Sequence, residues 1–246
     1  SEHEGVSLMR VLTWNVRQGG SKSPFYSIIN YLVEHDADVM VLTEFVDNEK
    51  GKALAKNLYA AGYTYQNDYV SPYKNESMLV TSKYAFEDVT DMKEWALPKE
   101  RWQELFFPEK DVYLLAIHIP QYMTSVHDRR LFLQQLLAYG QKRAADSSIM
   151  IGDYNTSWML DSQGIVTDFR DYLQQLNDLG WTQSCQLIDK HPSDCACNSP
   201  IEYGFRIDLA YISPPLKKKV IACEFSQHGP LEEGSEHHVL QVTLNS

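Results

Sequence analysis

Cysteine and positive charge are both scarce in this chain. Its four thiols, Cys185, Cys195, Cys197 and Cys223, are too few to staple 246 residues into a disulfide scaffold. Cys195 and Cys197 leave one residue between them, where zinc sites leave roughly two to four. Reduced, non-ligating thiols are therefore expected, with a disulfide in that loop as the alternative for an exported protein. Lysine and arginine number 22 against 33 acidic residues, a net charge of -11. That balance argues against a protein that coats nucleic acid non-specifically. A nuclease stays open, because carboxylates that hold a divalent cation add to the acidic count. No apolar run approaches the roughly 20 residues of a membrane span. The start, Ser1 to Gly5, is acidic and polar rather than a basic, apolar leader, so a cytoplasmic location is expected. Linkers, low-complexity tracts and short repeats are also missing. A single domain over residues 1–246 follows, with residues 1–7 read as a disordered or extraneous start.

What is present is the composition of an ordinary globular protein, 43% hydrophobic and 22% charged. Leu8 to Trp14 reads as a buried strand ending at Asn15, ahead of the turn-forming Gly19-Gly20. Ser23-Pro24 then opens a helix with Phe25, Ile28, Ile29, Leu32 and Val33 on one face. Val39 to Thr43 is an apolar strand whose next residue is Glu44. This strand, helix, strand order predicts a parallel pair with Asn15 and Glu44 at one sheet edge. A helix over Lys50 to Ala61 is closed by Gly62. Tyr63 to Val70, Ser77 to Ser82, Tyr84 to Met92 and Arg101 to Phe107 read as short antiparallel strands. Asp111 to Ile117 is a further strand with His118 at its tip. A capping box at Ser125 to Asp128 opens a helix to about Ala145, and the strand from Ser148 runs into Gly152-Asp153-Tyr154-Asn155. A helix over Phe169 to Leu179 stops at Gly180, a long loop covers Asp189 to Gly204, and strands close the chain at Phe205 to Ile212, Val220 to Phe225 and Val239 to Leu244. Two similar halves, stacked sheet against sheet with helices outside, account for this order.

Asn15, Glu44, His118, Asp153, Asn155, Asp208 and His237 thus sit at strand ends or, for Asp208, in a short strand. A carboxylate beside an amide oxygen suits a hard cation such as Mg²⁺. An aspartate beside a histidine fixes an imidazole tautomer. Singly, each residue has a plain alternative. Asn15 reads equally as a turn residue, Gly-Asp-x-Asn as a turn bonded by its own side chains, Glu44 as a neighbour of a helix cap, His118 as a core histidine, and Asp208 as an ion-pair partner of Arg206.

The ordered set TWNVR (Thr13 to Arg17), LTE (Leu42 to Glu44), AIHIP (Ala116 to Pro120), IGDYN (Ile151 to Asn155), RIDLAYIS (Arg206 to Ser213) and SEHH (Ser235 to His238) resembles the endonuclease/exonuclease/phosphatase superfamily over nearly the whole chain. The resemblance implies an α+β, four-layer αββα sandwich like that of deoxyribonuclease I, its two mixed sheets stacked face to face, and metal-dependent phosphoester hydrolysis. Mg²⁺, or Mn²⁺ in its place, is the implied cofactor, with Asn15, Glu44 and Glu236 as its ligands. His118, Asp153, Asn155, Asp208 and His237 are the implied catalytic set. His237, held by Asp208, is expected as base or charge stabiliser, and His118 or Asp153 as proton source for the leaving group. Arg17, Asn155 and Arg206 are expected to bind substrate, with Arg101, Arg129, Arg130 and Lys217-Lys218-Lys219 as further phosphate contacts. For the lysine run, a charged turn guarding a sheet edge is the better reading.

Two departures from the family pattern stand out. Glu236 and Val239 replace the aspartate and proline of the usual Ser-Asp-His-x-Pro, which bears on a second metal position. The loop Ser193 to Tyr203 lacks the tryptophan-rich segment of abasic-site endonucleases, which turns the expectation away from that activity. DNA is the favoured substrate. A small-molecule or lipid-headgroup phosphoester is the alternative that the net charge tolerates better, and a catalytically silent binding module is the third reading.

Overall fold

Alternation of side chains along the strands divides the apolar residues between an inner and an outer surface, and this division builds the layers. The computed structural model describes residues 7–17, 25–68, 76–95, 97–120, 126–155, 168–188, 208–226 and 238–245, apart from the side chains of 25–27, 126–127 and 168–170. In chain order the elements are β1 (Leu8–Asn15), α1 (Phe25–Glu34), β2 (Val39–Phe45), α2 (Glu49–Ala60), β3 (Tyr65–Asp68), β4 (Ser77–Ser82), β5 (Glu87–Asp88), β6 (Trp102–Phe107), β7 (Val112–His118), α3 (Val126–Arg143), β8 (Ser148–Asp153), α4 (Asp168–Asp178), β9 (Thr182–Gln183), the short α5 (Ser184–Leu187), β10 (Asp208–Ile212), a 3₁₀ turn (Pro214–Lys219), β11 (Val220–Phe225) and β12 (Leu240–Asn245).

Two six-stranded mixed sheets result, ordered β11-β12-β1-β2-β4-β3 and β5-β6-β7-β8-β10-β9. The central pair of each, β1 with β2 and β7 with β8, is parallel, as the strand-helix-strand order predicts. Met9, Val11, Val39 and Val41 of the first sheet pack in one core with Leu114, Ala116, Ile149 and Ile151 of the second. Their alternates face outward. Leu12, Trp14, Met40 and Leu42 meet α1 and α2 through Ile28, Leu32, Leu54 and Leu58. Leu115, Ile117 and Met150 meet α3 and α4 through Phe132, Leu136, Leu173 and Leu176. Helix, sheet, sheet, helix is the expected four-layer sandwich, like that of deoxyribonuclease I.

Several elements differ from expectation. Val33 is 38% exposed, because the buried stripe of α1 runs through Ile28, Ile29 and Leu32 and leaves its neighbour to one side. Tyr84 to Met92 shrinks to the two residues of β5, since Asp88 Oδ1 accepts from Thr90 N and Asp91 Oδ1 from Lys93 N, turns that end strand pairing. The second long helix begins one residue early, at Glu49, where Asn48 Oδ1 caps Gly51 N at 2.9 Å. Lys217 to Lys219 end the 3₁₀ turn that feeds β11, the outermost strand of its sheet, as read for an edge guard. No helix among the described residues is long and apolar enough to cross a membrane. The Gly19-Gly20 turn, the Ser23-Pro24 cap, Ser125 of the capping box, the loop Asp189 to Gly204, and Cys195 and Cys197 lie outside the described residues.

One ion pair joins the second sheet to its helix layer. Glu104 on β6, its side chain 1% exposed, accepts from Arg143 Nε and Nη2 at 2.9 Å, and the guanidinium stacks over Tyr113. Burial lifts the Glu104 carboxyl above its ordinary value even with Arg143 beside it. Arg143→Met, which leaves that carboxyl alone in the interior, is expected to cost about 3–5 kcal/mol in urea unfolding. A carboxyl whose folded-state pKa lies above its unfolded value adds stability below the unfolded pKa and loses it as pH rises through the folded one. The loss in this variant should therefore be larger at pH 8 than at pH 5.

Candidate active site

The inner surface turns polar at one end of the sandwich. On β7 the inward residues run Leu114, Ala116, His118; on β8 they run Ile149, Ile151, Asp153; on β10 they run Ile212, Ala210, Asp208. Backbone pairing aligns these tips, His118 with Asp153 and Asp153 with Asp208. On β1 the inward series Met9, Val11, Thr13 ends at Asn15, whose register partner on β2 is Thr43. All are buried: Asn15 is 0%, Asp153 1%, His118 3% and Asp208 6% exposed.

Glu44 reaches this surface by a different route. Strict alternation would place it outward with Met40 and Leu42. Instead β2 carries an irregularity against β4, with Thr43 opposite Met78 and Phe45 opposite Ser77, and Glu44 adopts φ +54°. A bulge of this kind inserts one residue and re-aims a side chain. A non-glycine residue at positive φ carries a strain of roughly 1–3 kcal/mol that the surroundings must offset. Here Phe45 takes the outward position in the helix-facing core, and Glu44 is left beside Asn15.

Hydrogen bonds then lock the tips together. Asn15 Nδ2 donates to Glu44 Oε1 at 2.8 Å and to Asp153 Oδ2 at 3.2 Å, and Asn15 Oδ1 accepts from Arg17 N at 3.0 Å. His118 Nε2 lies 3.8 Å from Asp153 Oδ2. Asp153 Oδ1 accepts from Asn155 N at 2.9 Å, Asn155 Nδ2 donates to Ile119 O at 2.7 Å, and Ile119 N donates to Asp153 O. Asn155 sits at φ +47°, and Arg129 Nη2 donates to its carbonyl. Both turn readings of the sequence hold, and so does the convergence: one oxygen of Asp153 closes the turn while the other faces Asn15 and His118.

Glu44, His118 and Asp153 each offer one ligand atom, and the three lie within 4.8 Å of one another. Two ionised carboxylates at that separation repel by about 3 kcal/mol at an effective dielectric of roughly 20. Asp208, opposite Asp153 on the ladder, adds a third. The Asn15 amide offsets part of this repulsion through two charge-assisted bonds. A divalent cation fits the remainder, two hard oxygens and one imidazole nitrogen being a set that Mg²⁺ or Mn²⁺ accepts. Thr43 Oγ1, buried at this rim, has no hydrogen-bond partner among the described residues.

The structure therefore brings together Asn15, Glu44, His118, Asp153 and Asp208, with Asn155 supporting the turn. Arg206, Glu236 and His237 lie outside the described residues. Asn15, expected as a ligand, presents its amide nitrogen to the carboxylates because Arg17 N–H claims the oxygen. His118, expected as an acid, is positioned to complete the ligand-capable trio. Arg17, expected to bind substrate, is half-buried at φ +41°. Arg129 is 2% exposed and holds the Asn155 carbonyl, so it is not a surface phosphate contact; Arg101 likewise donates to His118 O at 3.3 Å. The sequence reading missed both supporting roles, since an arginine near a helix start or strand start reads as a surface group.

A family model described as the Endonuclease/Exonuclease/phosphatase family matches residues 12–237. The chain belongs to this family. No curated protein sequence matches it. Among solved structures, an AP endonuclease from Archaeoglobus fulgidus superposes with a TM-score of 0.73 at 18% identity, over 97% of this chain and 100% of the other. A 3′ phosphatase from Neisseria bound to product DNA hairpin gives 0.76 at 16% identity, over 97% and 100%. An endonuclease/exonuclease/phosphatase from Beutenbergia cavernae gives 0.73 at 20%, over 97% and 71%. At these identities the likeness is one of fold. Family membership makes the chain a hydrolase of phosphoester bonds.

Gly152 sets the spacing of the His118 and Asp153 tips for this family member. It sits at φ +149°, and a Cβ there would stand 1.9 Å from Ile117 O on the neighbouring strand. Gly152→Ala should lower unfolding free energy by about 3 kcal/mol, at the upper end of overpacking costs, as read from the urea midpoint.

Proposed function

We propose that this protein is a divalent-cation-dependent nuclease that hydrolyses DNA phosphodiester bonds by in-line attack of water. The observation that carries the reading is the meeting of Glu44, His118 and Asp153 at the rim, with Asn15 donating to both carboxylates. Glu44, Asp153 and His118 would hold the cation. When bound, it would polarise a phosphoryl oxygen and offset charge on the leaving oxygen.

The remaining roles fall to the chain itself. Asn15 keeps the two carboxylates at fixed separation, so their orientation does not have to be gained during the reaction. Asp153 has one oxygen committed to Asn155 N, which leaves the oxygen that faces Asn15 and His118 for the cation. Asp208, in register with Asp153, can orient an imidazole at the same edge, the role assigned to it with His237. Asn155 and Arg17 supply polar groups beside the cleft for the phosphate. The DNA preference draws on the fold neighbours, which include an AP endonuclease and a phosphatase holding a DNA hairpin.

A small phosphoester is the second reading, favoured by the net charge of -11 and by the use of Arg129 and Arg101 on backbone carbonyls. Plasmid, abasic duplex, single strand, RNA and small phosphoesters, each assayed with Mg²⁺ and Mn²⁺, separate the two. DNA cleavage whose rate falls steeply with salt supports the nuclease, and turnover of small phosphoesters alone supports the alternative. On the active substrate, Glu44→Gln should lower kcat by about 10³-fold and His118→Ala by about 10²-fold while circular dichroism stays unchanged. Rates within a few-fold of wild type in either variant would sink the assignment.

A further inference from the structure

Two buried threonine hydroxyls in the first sheet find partners within the chain, and a third, at the rim, does not. Thr13 Oγ1 donates to Val41 O at 3.1 Å, and Thr81 Oγ1 donates to Tyr63 O and accepts from Gln66 Nε2, both at 3.3 Å. Thr43 Oγ1 has no such bond among the described residues, although the residue is 0% exposed. Its backbone carbonyl accepts from Val16 N at 3.0 Å. An unpaired buried hydroxyl is a net cost, and a valine would fill the same space without it.

The place of this hydroxyl is specific. Thr43 continues the inward series Val39, Val41, is the register partner of Asn15, and directly precedes Glu44. The bulge that turns Glu44 inward begins at Thr43, so both neighbours of the hydroxyl are groups that bound the ligand-capable trio. Trp95 Nε1 and Trp102 Nε1, in the helix-facing core of the second sheet, and Gln241 Oε1 on β12 also lack partners among the described residues.

We propose that the Thr43 hydroxyl is a positioning group of the cation site, accepting a hydrogen bond from hydration water of a divalent cation held at Glu44, His118 and Asp153. This rests on the cation reading given above. Mg²⁺ and Mn²⁺ keep several waters when few protein ligands are offered, and outer-sphere partners of those waters set affinity. In the cation-free protein the hydroxyl destabilises the fold; in the loaded protein it is satisfied. Stability and cation affinity should therefore move in opposite directions when the hydroxyl is removed.

The test is thermal unfolding of wild type, Thr43→Val and Thr43→Ser, metal-free after chelation and across a Mn²⁺ titration. Thr43→Val is expected to melt about 2 °C above wild type without metal. Its Mn²⁺ dissociation constant, from the dependence of the midpoint on concentration, is expected to rise about 10-fold. Thr43→Ser, which keeps the hydroxyl, should bind Mn²⁺ within about three-fold of wild type on the same scale. Should valine fail to pack, Thr43→Ala supplies the same affinity comparison. Equal Mn²⁺ affinity in Thr43→Val or Thr43→Ala and wild type overturns the proposal. A wild-type midpoint that Mn²⁺ does not move overturns the cation reading itself, and is distinguishable because no variant is needed to see it.

Discussion

The two hydrogen bonds from Asn15 Nδ2 hold the candidate site together. One ends on Glu44 of the same sheet, the other on Asp153 of the opposite sheet. Sheet packing by apolar side chains is tolerant of small slides, since Val, Ile and Leu contacts have no preferred direction. A short bond from an amide to two charged oxygens is not tolerant in that way. It converts a face-to-face hydrophobic stack into a cleft whose two walls keep a defined offset. Because Arg17 N–H fixes the amide oxygen, the nitrogen is the atom left for the carboxylates, and a turn residue becomes a clamp.

Strain is concentrated where this clamp needs it. Glu44, Asn155 and Arg17, three of the five non-glycine residues at positive φ among the described residues, belong to the rim, and Gly152 at φ +149° adjoins it. Each of these conformations opposes folding slightly, and bonds and packing offset the cost: Glu44 is held by Asn15 and Phe45, Asn155 by Arg129 and Ile119 O. The apolar core between the sheets supplies the surplus that lets such a rim exist.

How far the sequence revealed this depends on the range of each interaction. His118, Asp153 and Asp208 extend an inward alternation that local pattern displays, Ala116 before His118 and Ile151 before Asp153, so their place at a common edge was legible. The parallel pairs followed from element order. Glu44 was identified through motif order, while its periodicity points the wrong way; only pairing with β4 discloses the bulge. Tyr84 to Met92 has strand-like composition, and two Asx turns override it. The burial of Arg129 was illegible, because its partner is a carbonyl far along the chain and carbonyls leave no trace in side-chain patterning.

The order of the strands carries a further consequence. In the first sheet β12, made from residues 240–245, is wedged between β1 and β11, while β1 carries Asn15. A chain folding from its N-terminal side can pair β1 with β2 and stack the second sheet upon them, yet β1 keeps a bare flank until residues 240–245 join it. Assembly of the rim therefore waits on a pairing distant in sequence: without β12 the carboxylates are present, but the wall that carries Asn15 stays unsealed.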